Sequence, residues 1–160
     1  MKMPSPPEMS SELETTACVR ELLQSASTLT LATVDDSGRP HATPLFFFPR
    51  QDLTLCWLSD AGSGHSIHLR ARPQVSVAIY PAVERWEQIR GVQMEGDVRE
   101  VIDARERRAI LAGYRRRFGL GAALAAAIAQ ATLYVFRPSW IRYLDNSRGF
   151  GYKAELMLRS

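Results

Sequence analysis

The stretch Ser27-Thr-Leu-Thr-Leu-Ala-Thr-Val34 alternates apolar and polar residues with a period of two. Asp35-Asp-Ser-Gly38 then supplies turn chemistry, and Pro40 to Phe48 resumes in an extended mode. Successive side chains of a strand point to opposite faces, so the pattern predicts a β-hairpin. Further strands are expected at Leu53–Leu58, at Val75–Tyr80, at Ile89–Val101 with a glycine bend at Gly96, and at Ala131–Phe136. Pro138 breaks the last of these, and Trp140–Leu144 continues extended.

Helical spacing separates the strands. Ser11 to Ala26 carries Leu13, Ala17, Val19, Leu22 and Leu23 on one face, behind a Ser cap with Glu14 close after it. A short helix is expected from Gly64 to Arg72, stopped by Pro73, and a charged one from Asp103 to Phe118. An Ala-rich helix follows Gly119-Leu-Gly121. About six strands with helices inserted predict a mainly β, α+β architecture closed into an antiparallel barrel, with a helical insert before the last strand.

Composition narrows the function classes. In 160 residues, 46% hydrophobic and 23% charged, one domain over 11–160 behind a flexible segment 1–10 is the simplest division. The start resembles no signal peptide, and the longest apolar stretch, Leu120 to Leu133, is too short for a membrane helix, so a cytoplasmic address is expected. The net charge of +3 comes partly from Arg115-Arg116-Arg117, which reads as a solvated helix face; neither a nucleic-acid nor a membrane partner is expected. Cys18 and Cys56 read as reduced core thiols, and His65 with His68 lacks a third ligand nearby, so no metal is expected.

The chain carries no phosphate-binding loop ending in GK[ST], no HExxH, no paired CxxC and no GxSxG, and Gly62-Ser-Gly64 lacks the third glycine of a dinucleotide fingerprint. Redox or transfer chemistry would therefore come from a borrowed cofactor. Leu58-Ser-Asp-Ala-Gly-Ser-Gly-His-Ser66 sets hydroxyls, a histidine and free backbone N–H groups at a helix start directly after a strand, a geometry suited to phosphate.

Leu31-Ala-Thr-Val-Asp-Asp-Ser-Gly-Arg-Pro-His-Ala-Thr-Pro44, the strand, loop and helix ending Leu69-Arg-Ala-Arg-Pro73, Val75-Ser-Val-Ala-Ile79 and Arg90-Gly-Val-Gln-Met-Glu-Gly96 together resemble the FMN-binding split barrel of pyridoxamine-phosphate-oxidase-like proteins. The resemblance covers about residues 12 to 101, and the C-terminal part looks more like a poorly characterised bacterial branch than like the oxidase.

The resemblance implies a six-stranded split barrel that binds FMN as a homodimer, with the cofactor where the two copies meet. His41, Ala42, Thr43, Pro44 and Leu45 would run along the isoalloxazine, while Ser59, Asp60, Ser63, Gly64 and His65 would surround the phosphate. The oxidase pattern has Arg and Lys where this chain has Gly64 and His65, which leaves a protonated His65 as the replacement donor. Trp86 and Arg90 would approach the cofactor from the partner, and Asp145, Asn146, Arg148, Phe150 and Lys153 would cover a small-molecule substrate. The function implied is an oxidoreductase passing hydride between flavin and a small substrate or NAD(P)H. The alternative is a non-catalytic dimeric barrel holding flavin or haem. The run Phe46 to Phe48 is too apolar on both faces to stay exposed and is assigned to the core or the dimer contact.

Overall fold

The computed structural model describes residues 6–119 and 128–158. In chain order they form α1 (Pro6–Ser25), β1 (Thr28–Val34), β2 (Pro40–Phe46), β3 (Phe48–Pro49), β4 (Leu55–Ser59), α2 (Gly64–Ala71), β5 (Gln74–Ile79), β6 (Arg90–Glu100), α3 (Ala104–Phe118), β7 (Thr132–Asp145) and β8 (Lys153–Met157). The opening helix starts at Pro6 and so takes in residues 6–10, which were expected to be flexible. Of the expected Ala-rich helix, residues 120–127 lie outside the described residues and 128–130 are helical.

Every strand pairing is antiparallel, and the order is β2-β1-β5-β6-β7-β4-β3. Its two ends, β2 and β3, are separated in the chain by Phe47 alone, whose amide donates to Ser27 O at 3.1 Å. A sheet whose first and last strands are joined by one residue has to curl on itself. The expected barrel is present with eight strands where six were expected, because Phe48–Pro49 and Lys153–Met157 each add one. β7 has β6 along one side; along the other, β4 takes its first half and β8 its second, which is where the barrel splits.

Leu29, Leu31, Leu55, Trp57, Val77, Met94, Phe136 and Ile141 meet in one core, over which Val19, Leu22 and Leu23 of α1 close. A second cluster lies outside the sheet, where Ile110 of α3 covers Cys56, Leu133 and Val135. β4 and the start of β7 are buried on both faces, which explains their unbroken apolar runs. Both cysteines are free as expected. Cys18 is half-buried, and burial pushes the Cys56 thiol up to about 12.

The Phe46 to Phe48 run divides three ways. Phe47 is wholly buried, Phe48 lies under α3 against Gly113, and Phe46 is exposed with its ring 5.5 Å from that of Phe118. The arginine cluster divides too. Arg115 and Arg116 are exposed, whereas Arg117 donates to Leu23 O, Gln24 O and Ala26 O, closing the carbonyl end of α1.

Pro138 does not end a strand. β7 runs through it, pairing Pro138 with Gly96 and Trp140 with Glu95, so that the register shifts and Ser139 is left over as a bulge. A Cβ on Gly96 would lie 2.1 Å from Arg137 O, so only glycine lets the two backbones meet there. Gly96→Ala is expected to lower stability by about 3 kcal/mol, because backbone rather than a side-chain tip must move. Arg116→Ala should change it by less than about 0.5 kcal/mol; urea unfolding of the two variants checks the pair.

Candidate functional site

β4 ends at Ser59, and Asp60 to Ser63 turn the chain into α2. The turn is held by Asp60, whose carboxylate accepts from Gly62 N at 2.5 Å and whose carbonyl accepts from Ser63 N at 3.1 Å and from the Ser63 hydroxyl at 2.8 Å. Ser63 stands at the N-cap position yet makes no side-chain cap to α2. Its hydroxyl is turned back into the loop, and its oxygen also lies 2.9 Å from Ser66 Oγ. The usual capping bond is missing, so the first-turn amides of α2 keep their donors for an anion.

His65 is not on the outer face of α2. It is buried, and its Nε2 lies 2.6 Å from Ser59 Oγ and 3.1 Å from Ser63 Oγ. Burial first, then the charge of His68, hold its pKa below the ordinary 6.5, so the ring is neutral at pH 7. Gly64 has open space around it. A Cβ there would meet nothing within 4 Å.

The site's second wall is β2, which has a strand partner on one side only. Thr33 of β1, opposite His41 in register, is buried and sits 2.9 Å from His68 Nδ1. The His68 ring in turn lies 4.7 Å from that of His41. His41 Nε2 is 3.2 Å from Asp35 Oδ2. The Ser37 hydroxyl, then the Arg39 amide and His41, keep the Asp35 carboxyl well below the usual carboxylate range. α2 is thus docked on the hairpin through His68, beside the free edge along which Ala42, Thr43, Pro44 and Leu45 follow.

The remaining candidates gather elsewhere. Ser59 pairs with Thr132 at the start of β7, and Arg90 pairs with Asp145 at its end. Those positions are separated by roughly 40 Å of strand at about 3.3 Å per residue. At the far end Asn146 donates to Trp86 O at 2.9 Å and accepts from Gly151 N at 3.0 Å, fastening the β5–β6 connection to the β7–β8 turn. Asp145 accepts from the Ser147 hydroxyl at 2.6 Å and the Tyr143 hydroxyl at 3.0 Å, and Arg148 pairs with Glu14 of α1. The exposed rings of Trp86 and Phe150 meet at 5.5 Å, and Lys153 opens β8. One copy of the chain therefore builds two separate groups.

Sequence reasoning missed Thr33, Asp35 and Ser66. Thr33 had a signal: it is polar on the phase of β1 shared with buried Leu29 and Leu31. Ser66 had none, since a serine early in a helix is ordinary.

An antiparallel sheet curled into a barrel that splits along β7, with a helix start opening beside a free strand edge, is the architecture of a split barrel. The profile of the pyridoxamine 5'-phosphate oxidase family matches residues 15–145, and the chain belongs to that family. A UPF0306 protein from Enterobacter sp. (strain 638) is 25% identical over 141 residues, 88% of this chain and 95% of that protein. YhbP of Salmonella paratyphi C, also a UPF0306 protein, is 29% identical over 112 residues, 70% of this chain and 72% of that one. Among solved structures, a haem-binding protein from Mycobacterium smegmatis superposes with a TM-score of 0.74 at 20% identity, over 98% of this chain and 60% of that one. HutZ, the haem storage protein of Vibrio cholerae, gives 0.67 at 20% identity, over 88% and 92%. Both structures share the fold. No described helix is long and apolar enough to cross a membrane, and no group of three potential metal ligands occurs among the described residues.

The depressed pKa of His65 has a consequence for stability. The unfolded chain takes up the proton first, so the contribution of the neutral ring is complete above about pH 6.5 and is lost as the pH falls towards the lower folded value. Urea midpoints should therefore fall between pH 7.5 and pH 5, and His65→Gln should flatten part of that fall.

Proposed function

We propose that the chain binds FMN as a homodimer, with the phosphate at Ser59, Asp60, Ser63, Gly64 and His65 and the ring system along His41, Ala42, Thr43, Pro44 and Leu45. The observation that carries this reading is the uncapped start of α2, where Ser63 turns its hydroxyl into the loop and leaves the first-turn amides without a side-chain acceptor. The helix dipole adds to their attraction for an anion. The fit extends to shape, since the free edge of β2 offers backbone carbonyls and the Ala42 amide beside that helix start.

Two copies follow from the separation along β7. Trp86, Arg90, Asp145, Asn146, Arg148, Phe150 and Lys153 reach a ligand on α2 only if a second chain supplies them, its far end laid against the first chain's helix start. Exposed Trp86 and Phe150 suit burial against such a partner. The chemistry supplied by a bound flavin is hydride transfer with a small substrate or NAD(P)H, and the reading assigns the chain to the oxidoreductases. The protein's own part is to hold and orient: amides and hydroxyls at the phosphate, the backbone of β2 along the ring.

A second reading is a dimeric barrel that holds haem in the same cleft. It is favoured by the His41 and His68 rings, 4.7 Å apart between β2 and α2, and by the haem-binding proteins that share the fold.

Fluorescence titration with FMN and riboflavin, beside an absorbance titration with haemin, decides between them. The flavin reading expects FMN to bind tighter than riboflavin and the protein to sediment as a dimer at micromolar concentration. A haem Soret band that is lost in a variant lacking both histidines, with no flavin bound, replaces it with the haem reading. Gly64→Arg supplies the donor that the oxidase pattern has at this position, into space that is open. A hydrogen bond to a charged group is worth about 1.5–3 kcal/mol, so FMN affinity should rise roughly tenfold to a hundredfold, with riboflavin unchanged.

A further inference from the structure

We infer that His65 is a positioning residue: its Nε2–H fixes the Ser59 hydroxyl so that Ser59, and not the imidazole, donates to the ligand's phosphate. The inference rests on the flavin reading above and replaces a protonated histidine at the phosphate with a neutral one behind it.

The argument is a count of protons. Ser63 has a single hydroxyl proton and two partners for it: Asp60 O, 2.8 Å away, can only accept, whereas Ser66 Oγ, 2.9 Å away, has a proton of its own to give, so the Ser63 proton goes to Asp60 O. With that proton committed, Ser63 Oγ can only accept from His65 Nε2 at 3.1 Å, so Nε2 carries the hydrogen. Ser59 Oγ, 2.6 Å from the same Nε2, then accepts as well. The opposite tautomer would let Ser59 donate to a bare Nε2 but would leave that nitrogen facing the Ser63 oxygen with no hydrogen between them. With Nε2–H in place, the proton of Ser59 is not spent on the ring. The other acceptor near it is Ser63 Oγ, at a long 3.3 Å, so an incoming phosphate oxygen competes well for it.

Burial of the ring fits this role. The imidazole is enclosed behind the two serines at the barrel end of α2, with Ser66 beside it fully buried. A phosphate on the outer side of the loop meets the Ser59 hydroxyl and the α2 amides, and the imidazole acts through Ser59.

The test uses the full-length protein in two parts. Long-range proton–nitrogen NMR of the ligand-free protein reads the tautomer of His65 directly. Nε2–H is expected, and Nδ1–H overturns the inference. FMN and riboflavin are then titrated into the wild type, His65→Leu, His65→Gln, Ser59→Ala and the double variant Ser59→Ala/His65→Leu. His65→Leu and Ser59→Ala should each lose about tenfold in FMN affinity and nothing in riboflavin affinity, the double variant should lose no more than either, and His65→Gln, whose amide can donate, should restore binding. Losses that multiply in the double variant, or a Gln variant as weak as the Leu variant, overturn it. A wild type that binds neither flavin defeats the flavin reading instead, and the tautomer still decides whether His65 holds Ser59 by its Nε2–H.

Discussion

The meeting of β6 and β7 at Gly96 and Arg137, too tight for any side chain on residue 96, is the contact on which the barrel depends. β6 and β7 form the longest ladder in the sheet, and an uninterrupted ladder of that length would leave their far ends pointing away from the core. The shift at Glu95/Gly96 opposite Pro138 bends both strands at once, and proline, which has no N–H to give, fits where a ladder bond is absent. The bend lets one strand, β7, hold β4 in its first half and β8 in its second, so that the site and the far turn fall on different halves of one element.

The candidate site follows from that placement. β4 delivers Ser59 at the barrel's end, α2 begins there, and the hairpin β1–β2 is locked against α2 through Thr33, His68 and His41. None of these residues is reactive alone. Their joint effect is to hold uncapped amides and a hydroxyl beside an open strand edge, the arrangement on which the proposed cofactor binding rests.

Most of the sheet was legible because alternation fixes which face is buried, and Ser27 to Val34, Val75 to Tyr80 and Ile89 to Val101 all alternate. β3 and β8 were not, since two residues carry no period and Lys153 to Met157 follows a glycine-rich turn that reads as loop. Pro138 misled because the rule that proline ends a strand holds only where its N–H would be needed, and the bulge removes that need. The loop from Ser59 to His65 was legible as a helix start with hydroxyls, but the inward turn of His65 was not. Helical spacing gives the same period whether a ring lies against serines or in water, and the partners Ser59 and Ser63 meet it through the loop's geometry. Arg117 shows the same limit: three consecutive arginines read as one charged face, while the third closes another helix.

Pro40 and Pro44 both lie on β2, four pairs apart against β1. In an antiparallel edge strand a proline fits where its missing N–H would face outward, so the open side of β2 presents carbonyls at both positions with only Ala42 between them able to donate. A neighbouring strand needs donors and acceptors in alternation, and this rim cannot supply them. The molecule therefore leaves a sheet edge exposed while opposing the addition of a second chain to it as a growing fibril.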